Sequence, residues 1–283
     1  MPPRSTPTAR QQRLGAELRK LREHAGLTAR VAAGLLGTDQ QQISHIEAGR
    51  VGVSEERIRR LAVHYACDDA ALVSALVAMA TERMRGWWED FRGVLSPGFL
   101  DLSEFEFHAS CMRTIQITNI PGIMQTEAHA RAVFAYAVPE LTPHQLEARV
   151  AHRIQRRVVF ERDSPPEFDA LIHEAALRIR VGDEKIAREQ FDHILESADR
   201  PEVSIRVIPF NASWFGGAGY SMLYMGGPVP ELDTVQLDAA HDRTLLDAEA
   251  QIRRHRTLFR KVANSSLGMA ASRDFIYRIA REL

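Results

Sequence analysis

The sequence predicts an all-α N-terminal domain of five short helices, followed by an α+β domain with a small, mainly antiparallel sheet. Three observations carry this. Over residues 10–83, apolar residues recur at helical spacing between side chains that cap helices and glycines that stop them. Beyond Pro165-Pro166, runs rich in β-branched and aromatic residues take over. The chain has 283 residues, 45% hydrophobic and 26% charged, enough for two domains that each bury a core.

Residues 1–9 hold three prolines and read as a flexible arm. From Arg10, the residues Leu14, Leu18 and Leu21 share one helical face, and Gly26 ends that helix. Thr28 caps a helix over 29–36 that Gly37 closes. Asp39 caps a third over 40–48, closed by Gly49. Ser54 caps a fourth over 55–65, and a fifth runs over 68–83. The first domain is therefore 10–83. The boundary lies at 83–86, and Trp87 and Trp88 open the second domain, 87–283. There, helical patterns cover 87–95, 103–116, 126–137, 142–161, 185–198, 244–263 and 272–281. Strand patterns cover 168–173, 203–209, 220–225 and 234–237. The last two flank Gly226-Gly227-Pro228, the turn of an antiparallel hairpin.

Composition removes several classes of function. Two cysteines, Cys67 and Cys111, supply neither a disulfide framework nor a cysteine-rich zinc site, which suits a cytoplasmic protein. No apolar run is long enough for a membrane span, and the N-terminus lacks the pattern of a signal peptide. His108 and Cys111 have metal-like spacing but no second pair, and His173-Glu174 lacks the second histidine of a zinc helix. Gly216-Gly217-Ala218-Gly219 lacks the lysine and hydroxyl of a phosphate loop. No metal, cofactor or catalytic group is expected. The net charge of −1 hides an asymmetry. Residues 1–66 carry 11 Lys+Arg against 6 Asp+Glu, and the remainder 25 against 31. A basic head suggests a polyanionic partner.

The segment 27–50, LTARVAAGLLGTDQQQISHIEAGR, carries the most information. Its third helix has two faces. Ile43 and Ile46 turn to a core, while Gln40, Gln41, Ser44 and His45 recur opposite, without an acidic residue among them. Glutamine donates and accepts together, which matches the adenine edge in a major groove.

This segment resembles the helix-turn-helix of the lambda-repressor-like, or Xre, family of transcriptional regulators. The shared pattern is Leu27-Thr28, Leu36-Gly37, Asp39-Gln40-Gln41, then Ile43-Ser44, Ile46-Glu47 and Gly49, within residues 10–80. The resemblance implies that Gln40, Gln41 and His45 read bases of double-stranded DNA. Gln42, Ser44, Thr28 and Arg50 contact the backbone or neighbouring bases, and Arg22 pairs with Glu47. Ala29 and Ala48 depart from the family's usual glutamine and asparagine, and Arg10 and Arg13 are expected to compensate at the phosphates. A homodimer on an inverted-repeat operator is implied.

The second half, with its Pro121-Gly122-Ile123-Met124-Gln125-Thr126 motif, is similar to a C-terminal domain of unknown function in actinobacterial helix-turn-helix regulators, some classed as antitoxin-like. That resemblance implies a regulator whose second domain meets a small-molecule ligand or a small partner protein encoded nearby. The alternative is an antitoxin-like protein that mainly binds that partner and autoregulates its operon. Trp214, Phe215 and Tyr220 form a candidate lid over a ligand pocket. The helix 244–263, with Leu245, Leu246, Ile252, Leu258 and Phe259, is a candidate dimerisation surface.

Overall fold

The computed structural model describes residues 6–82, 84–213, 220–238 and 243–283. It divides into two compact units. The first comprises residues 1–89 with 228–232, and the second residues 90–227 with 233–283. The boundary thus falls a few residues later than the composition suggests, and Trp87 and Trp88 belong to the first unit.

The first unit is built on helices α1 (Ala9–His24), α2 (Ala29–Leu36), α3 (Gln40–Glu47), α4 (Glu55–His64) and α5 (Ala70–Thr81). Each begins at a side chain that accepts a backbone N–H of its first turn: Thr8, Thr28, Asp39, Ser54 and Asp69. Such caps satisfy donors that the helix leaves without partners. Gly37 takes the left-handed conformation at φ 67° and ends α2. One core joins all five helices through Leu18, Ala32, Ile43, Ile46, Ile58, Leu61 and Leu76.

The second unit places α6 (Pro97–His108) before β1 (Cys111–Gln116). Helices α7 (Glu127–Ala135) and α8 (Pro143–Gln155) and a 3-10 turn (Arg156–Glu161) follow, then β2 (Glu167–His173), α9 (Glu174–Arg178), α10 (Glu184–Ser197) and β3 (Val203–Ile208). The chain continues through β4 (Met222–Gly226), β5 (Thr234–Asp238), β6 (Arg243–Leu246), α11 (Glu249–Ser265) and α12 (Met269–Arg281). The six strands form one mixed sheet of order β3-β2-β1-β4-β5-β6. β1, β2 and β3 run parallel, while β1-β4, β4-β5 and β5-β6 pair antiparallel. The β4–β5 hairpin matches its turn signal.

Two strands and their consequences differ from the sequence reading. The pattern over 103–116 is a helix only to His108, after which Cys111–Gln116 is the strand at the centre of the sheet. Likewise Leu245 and Leu246 lie on β6 rather than on the long helix, which starts at Glu249. Ile252 and Phe259 of α11 are buried against one sheet face, with Leu258 packed beside them, so these residues do not form a free dimerisation surface. The face they cover carries Ile115, Leu171, Ile208, Met222 and Val235. The opposite face carries Met112, Phe168, Ile172, Ile205 and Val207, under Phe191 and Ile194 of α10 and Ile276 and Ile279 of α12. Asp233 accepts from Gly227 N at 2.8 Å and also meets Tyr224 and Arg256, which fixes the base of the β4–β5 connection.

Candidate nucleic-acid interface

Helix α3 is held by its inner face and its two ends. Ile43 and Ile46 are buried in the five-helix core. At the start, Asp39 Oδ1 accepts from Gln42 N at 2.7 Å. At the end, Glu47 receives Arg22 in a two-pronged ion pair, Nε to Oε1 at 2.6 Å and Nη2 to Oε2 at 3.0 Å. The third arm of that guanidinium, Nη1, donates to the Leu27 carbonyl at 2.6 Å. One side chain therefore ties α1, the turn before α2 and the end of α3 together. Glu47 holds the Arg22 guanidinium above its ordinary pKa. Burial, reinforced by the same carboxylate, pushes the Tyr65 phenol up to about 12.

Two glycines set the depth of α3 against α1. A Cβ on Gly15 would sit 2.7 Å from the Ile46 carbonyl oxygen and closer still to that of Glu47. A Cβ on Gly49, which has φ +70°, would meet Gln11 backbone at 2.7 Å. The backbones touch where no side chain fits.

This placement leaves Gln40, Gln41 and Ser44 exposed, with Gln42 and His45 half-buried beside them. The Ser44 hydroxyl donates to the Gln40 carbonyl at 3.1 Å, so it is bonded within its own helix. Thr28 is exposed and its hydroxyl caps α2, accepting from Val31 N at 3.2 Å. Arg50 is exposed just past α3.

Arg10 and Arg13 are placed otherwise than the sequence reading expects. Arg13 is 4% exposed, bonded to Glu17 and to the Glu231 carbonyl inside the first unit. Arg10 is half-buried and pairs with Glu82 at 2.9 Å. Both face structure rather than solvent, because a helix that begins at Ala9 turns them toward neighbouring carboxylates. Two exposed cations that the sequence reading passed over are better placed. Arg30, in the first turn of α2, and Arg57, in the first turn of α4, have no carboxylate partner among the described residues. Arg59 and Arg60, on the same helix as Arg57, face Glu55 and Glu56 four residues earlier. The signal was present: neither Arg30 nor Arg57 has an acidic residue three or four positions away.

In the second unit, Trp214 and Phe215 of the candidate lid lie outside the described residues. The Tyr220 hydroxyl is 3.3 Å from His255 Nε2 of α11. No group of histidine, cysteine or acidic side chains suited to a metal occurs among the described residues. No described helix is long and apolar enough to cross a membrane.

The N-terminal unit thus has the architecture of a helix-turn-helix domain, the class that points to a DNA-binding regulator. Residues 13–76 match the family described as a helix-turn-helix domain. Residues 99–278, most of the chain, match the domain of unknown function DUF5753, and the chain belongs to that family. No curated protein and no solved structure compared with the chain matches it.

Proposed function

We propose that this protein is a sequence-specific, DNA-binding transcriptional regulator of the Xre type, acting as a cytoplasmic homodimer on an inverted-repeat operator. The observation that carries the reading is the outer face of α3. Gln40, Gln41 and Ser44 are exposed on a helix whose opposite side is locked into the core, and Arg30, Arg50 and Arg57 stay exposed without carboxylate partners among the described residues. A rigid polar helix with unneutralised guanidinium groups in its domain suits base reading combined with phosphate contact. Gln40 and Gln41 lie in the first turn, and the base-edge role falls to them first. A single recognition helix buries little surface, so two protomers supply useful affinity. The second domain is assigned a sensing role, for a small molecule or a partner protein, and no catalytic step.

Selection from a random DNA pool with the full-length protein tests this. One enriched inverted repeat, lost in the double variant Gln40→Ala/Gln41→Ala, is the expected result. Enrichment that survives the double variant removes α3 from the interface, and no enrichment at all means that DNA binding requires the ligand or partner of the second domain or that the first domain is a protein-contact module.

A further inference from the structure

The sheet face that carries the apolar core under α10 and α12 changes character along its width. On β2 and β3 it presents Phe168, Ile172, Ile205 and Val207. Strand alternation places Thr114 and Gln116 of β1, and Thr234, Gln236 and Asp238 of β5, on the same side. Four of these five are buried: Thr114 2%, Gln116 8%, Thr234 1% and Gln236 5% exposed. Inward positions of a sheet are ordinarily apolar, because each buried polar group loses water. A run of buried amides and hydroxyls at core positions is costly wherever its bonds are not met within the protein; Thr114 is met, its hydroxyl donating to the Met222 carbonyl at 2.8 Å, whereas the others keep unused bonding capacity.

A cavity of about 320 Å³ opens over this polar strip. That lies at the small end of the range for small-molecule sites. Its floor includes Thr114, Gln116, Gln236 and Asp238, and its wall is the Pro121–Gln125 segment with Glu106, Arg153 and Arg156. The motif at 121–126, which DNA binding does not use, is the frame of this wall. Gln125 donates to the Ile120 carbonyl at 2.9 Å and accepts from Arg153, and its backbone carbonyl accepts from Arg157. Gly122 lies directly beneath these side chains: a Cβ there would sit 2.9 Å from Arg156 Nη1 and 3.1 Å from Arg153 Nη1. Two guanidinium groups converge on that point.

The two sides of the cavity differ in net charge: Arg153 and Arg156 against Glu106 leave the wall positive by one, and Asp238 leaves the sheet side negative by one. Arg156 gives Nε and Nη2 to Glu106, which leaves Nη1 without an acceptor among the described residues. At the sheet, Gln116 donates to Thr114 Oγ1 at 3.0 Å and Gln236 donates to Asp238 at 3.1 Å. Both amide oxygens then point to no donor among the described residues, and Thr234 Oγ1 is buried without a partner on the same face. The wall offers guanidinium donors beside the Arg156–Glu106 pair, and the sheet side offers amide acceptors and the Asp238 carboxylate. Arg153 and Arg156 balance Glu106 and Asp238, so the lining is neutral overall.

We infer that this cavity is a binding site for a small zwitterion of the α-amino-acid class. The ligand carboxylate faces Arg153 and Arg156, and its ammonium faces Gln116, Gln236 and Asp238. Neutrality of the lining disfavours a dianion, and the separation of sign favours a zwitterion over an uncharged polyol. The inference deepens the sensing role proposed for the second domain and names the chemistry sensed.

The test is thermal unfolding of the full-length protein with each standard L-amino acid at about 10 mM, with succinate and myo-inositol as dianion and polyol probes, followed by calorimetric titration of any hit. At least one amino acid is expected to raise the melting temperature by about 2 °C or more and to bind once per chain. Its N-acetyl and its amide derivatives, each lacking one charge, are expected to bind at least about tenfold more weakly. Arg153→Met and Gln236→Leu are each expected to cost a similar factor; if Arg153→Met unfolds the domain, Gln236→Leu decides. The inference is overturned if no amino acid binds, if only succinate or inositol does, or if Gln236→Leu leaves the affinity unchanged. Binding is read without DNA. An amino acid that binds yet leaves operator affinity unaltered overturns the sensing role and keeps the site, whereas operator binding with no amino acid bound overturns the site and keeps the DNA-binding role.

Discussion

Breaking the Arg22–Glu47 pair should strongly destabilise the DNA-binding unit, and replacing both partners should not. Each side chain is 9% exposed, so Glu47→Ala leaves a buried guanidinium without its main counter-ion. Uncompensated buried charge costs about 3–5 kcal/mol. Glu23, at 3.5 Å from Arg22 Nη2 and half exposed, offsets part of this, which puts Glu47→Ala at the lower end, about 3 kcal/mol. Arg22→Met strands the Glu47 carboxylate and also removes the donor to the Leu27 carbonyl, adding about 1 kcal/mol. For a helical unit of this size each kcal/mol lowers the melting temperature by about 4–8 °C. The single variants should therefore lose about 12 °C or more. The double variant Arg22→Met/Glu47→Leu exchanges the pair for packed apolar groups and should recover to within about 1–2 kcal/mol of the native protein. Circular dichroism melts of the four full-length proteins form a double-mutant cycle. Single variants that cost less than about 1 kcal/mol, or a double variant worse than both singles, would refute the reasoning.

Three further outcomes follow from the placement of charge and backbone. Arg50→Ala and Arg30→Ala should each lower the slope of log affinity against log salt by about 2 in a dimer, one phosphate per protomer, whereas Arg13→Ala should destabilise the fold without moving that slope; salt titrations of operator binding check this. Gly15→Ala should cost about 3 kcal/mol or more, since the new methyl meets carbonyl oxygens of α3 rather than a side chain that can turn away; a melt unchanged by the substitution contradicts the close approach. Burial holds His129 and His193 down at about 4, against an ordinary value of 6.5. The unfolded chain therefore binds protons first, so the stability these rings contribute is complete above pH 6.5 and is lost as pH falls from there toward 4. After solvent screening each contributes on the order of 1 kcal/mol, and His129→Gln with His193→Gln should flatten melting temperature against pH between 6.5 and 5.

What could be read in advance was local. The helices of the first unit are punctuated by side chains whose roles are decided within four residues, so Thr28, Gly37, Asp39 and Ser54 set their ends correctly. The β4–β5 turn was legible for the same reason. Non-local facts were not. Cys111–Gln116 fits the end of a helix by local pattern, since Met112 and Ile115 share a helical period; its strand pairing is decided by β2 and β4, far away in sequence. Arg13 is expected at the phosphates, to offset the contacts that Ala29 and Ala48 lack, and the structure buries it instead. Its burial depends on Glu231, some two hundred residues later. Gly122 is non-local in the same way: the two guanidinium groups beside it come from residues some thirty positions later.

The polar strip on the sheet supplies a consequence that runs against ordinary expectation for a core substitution. A buried residue replaced by a different type usually destabilises. Gln236 is 5% exposed, and its amide oxygen meets no donor among the described residues but faces the cavity, where water reaches it, so in the ligand-free protein it retains only part of a desolvation cost, up to about 1 kcal/mol. Its one bond goes to Asp238, which is exposed and can return to water. Gln236→Leu shortens the side chain by one bond, removes the cost and adds apolar area beside Leu223 and Phe168, which line the same cavity. The ligand-free variant should melt higher than the native protein, by about 0.5–2 kcal/mol, while losing the amino-acid response. A stability gained together with a function lost is the expected signature of a site held polar for a ligand. If the ligand-free variant instead loses more than about 1 kcal/mol, the amide is a satisfied part of the core and the strip owes its polarity to folding rather than to binding.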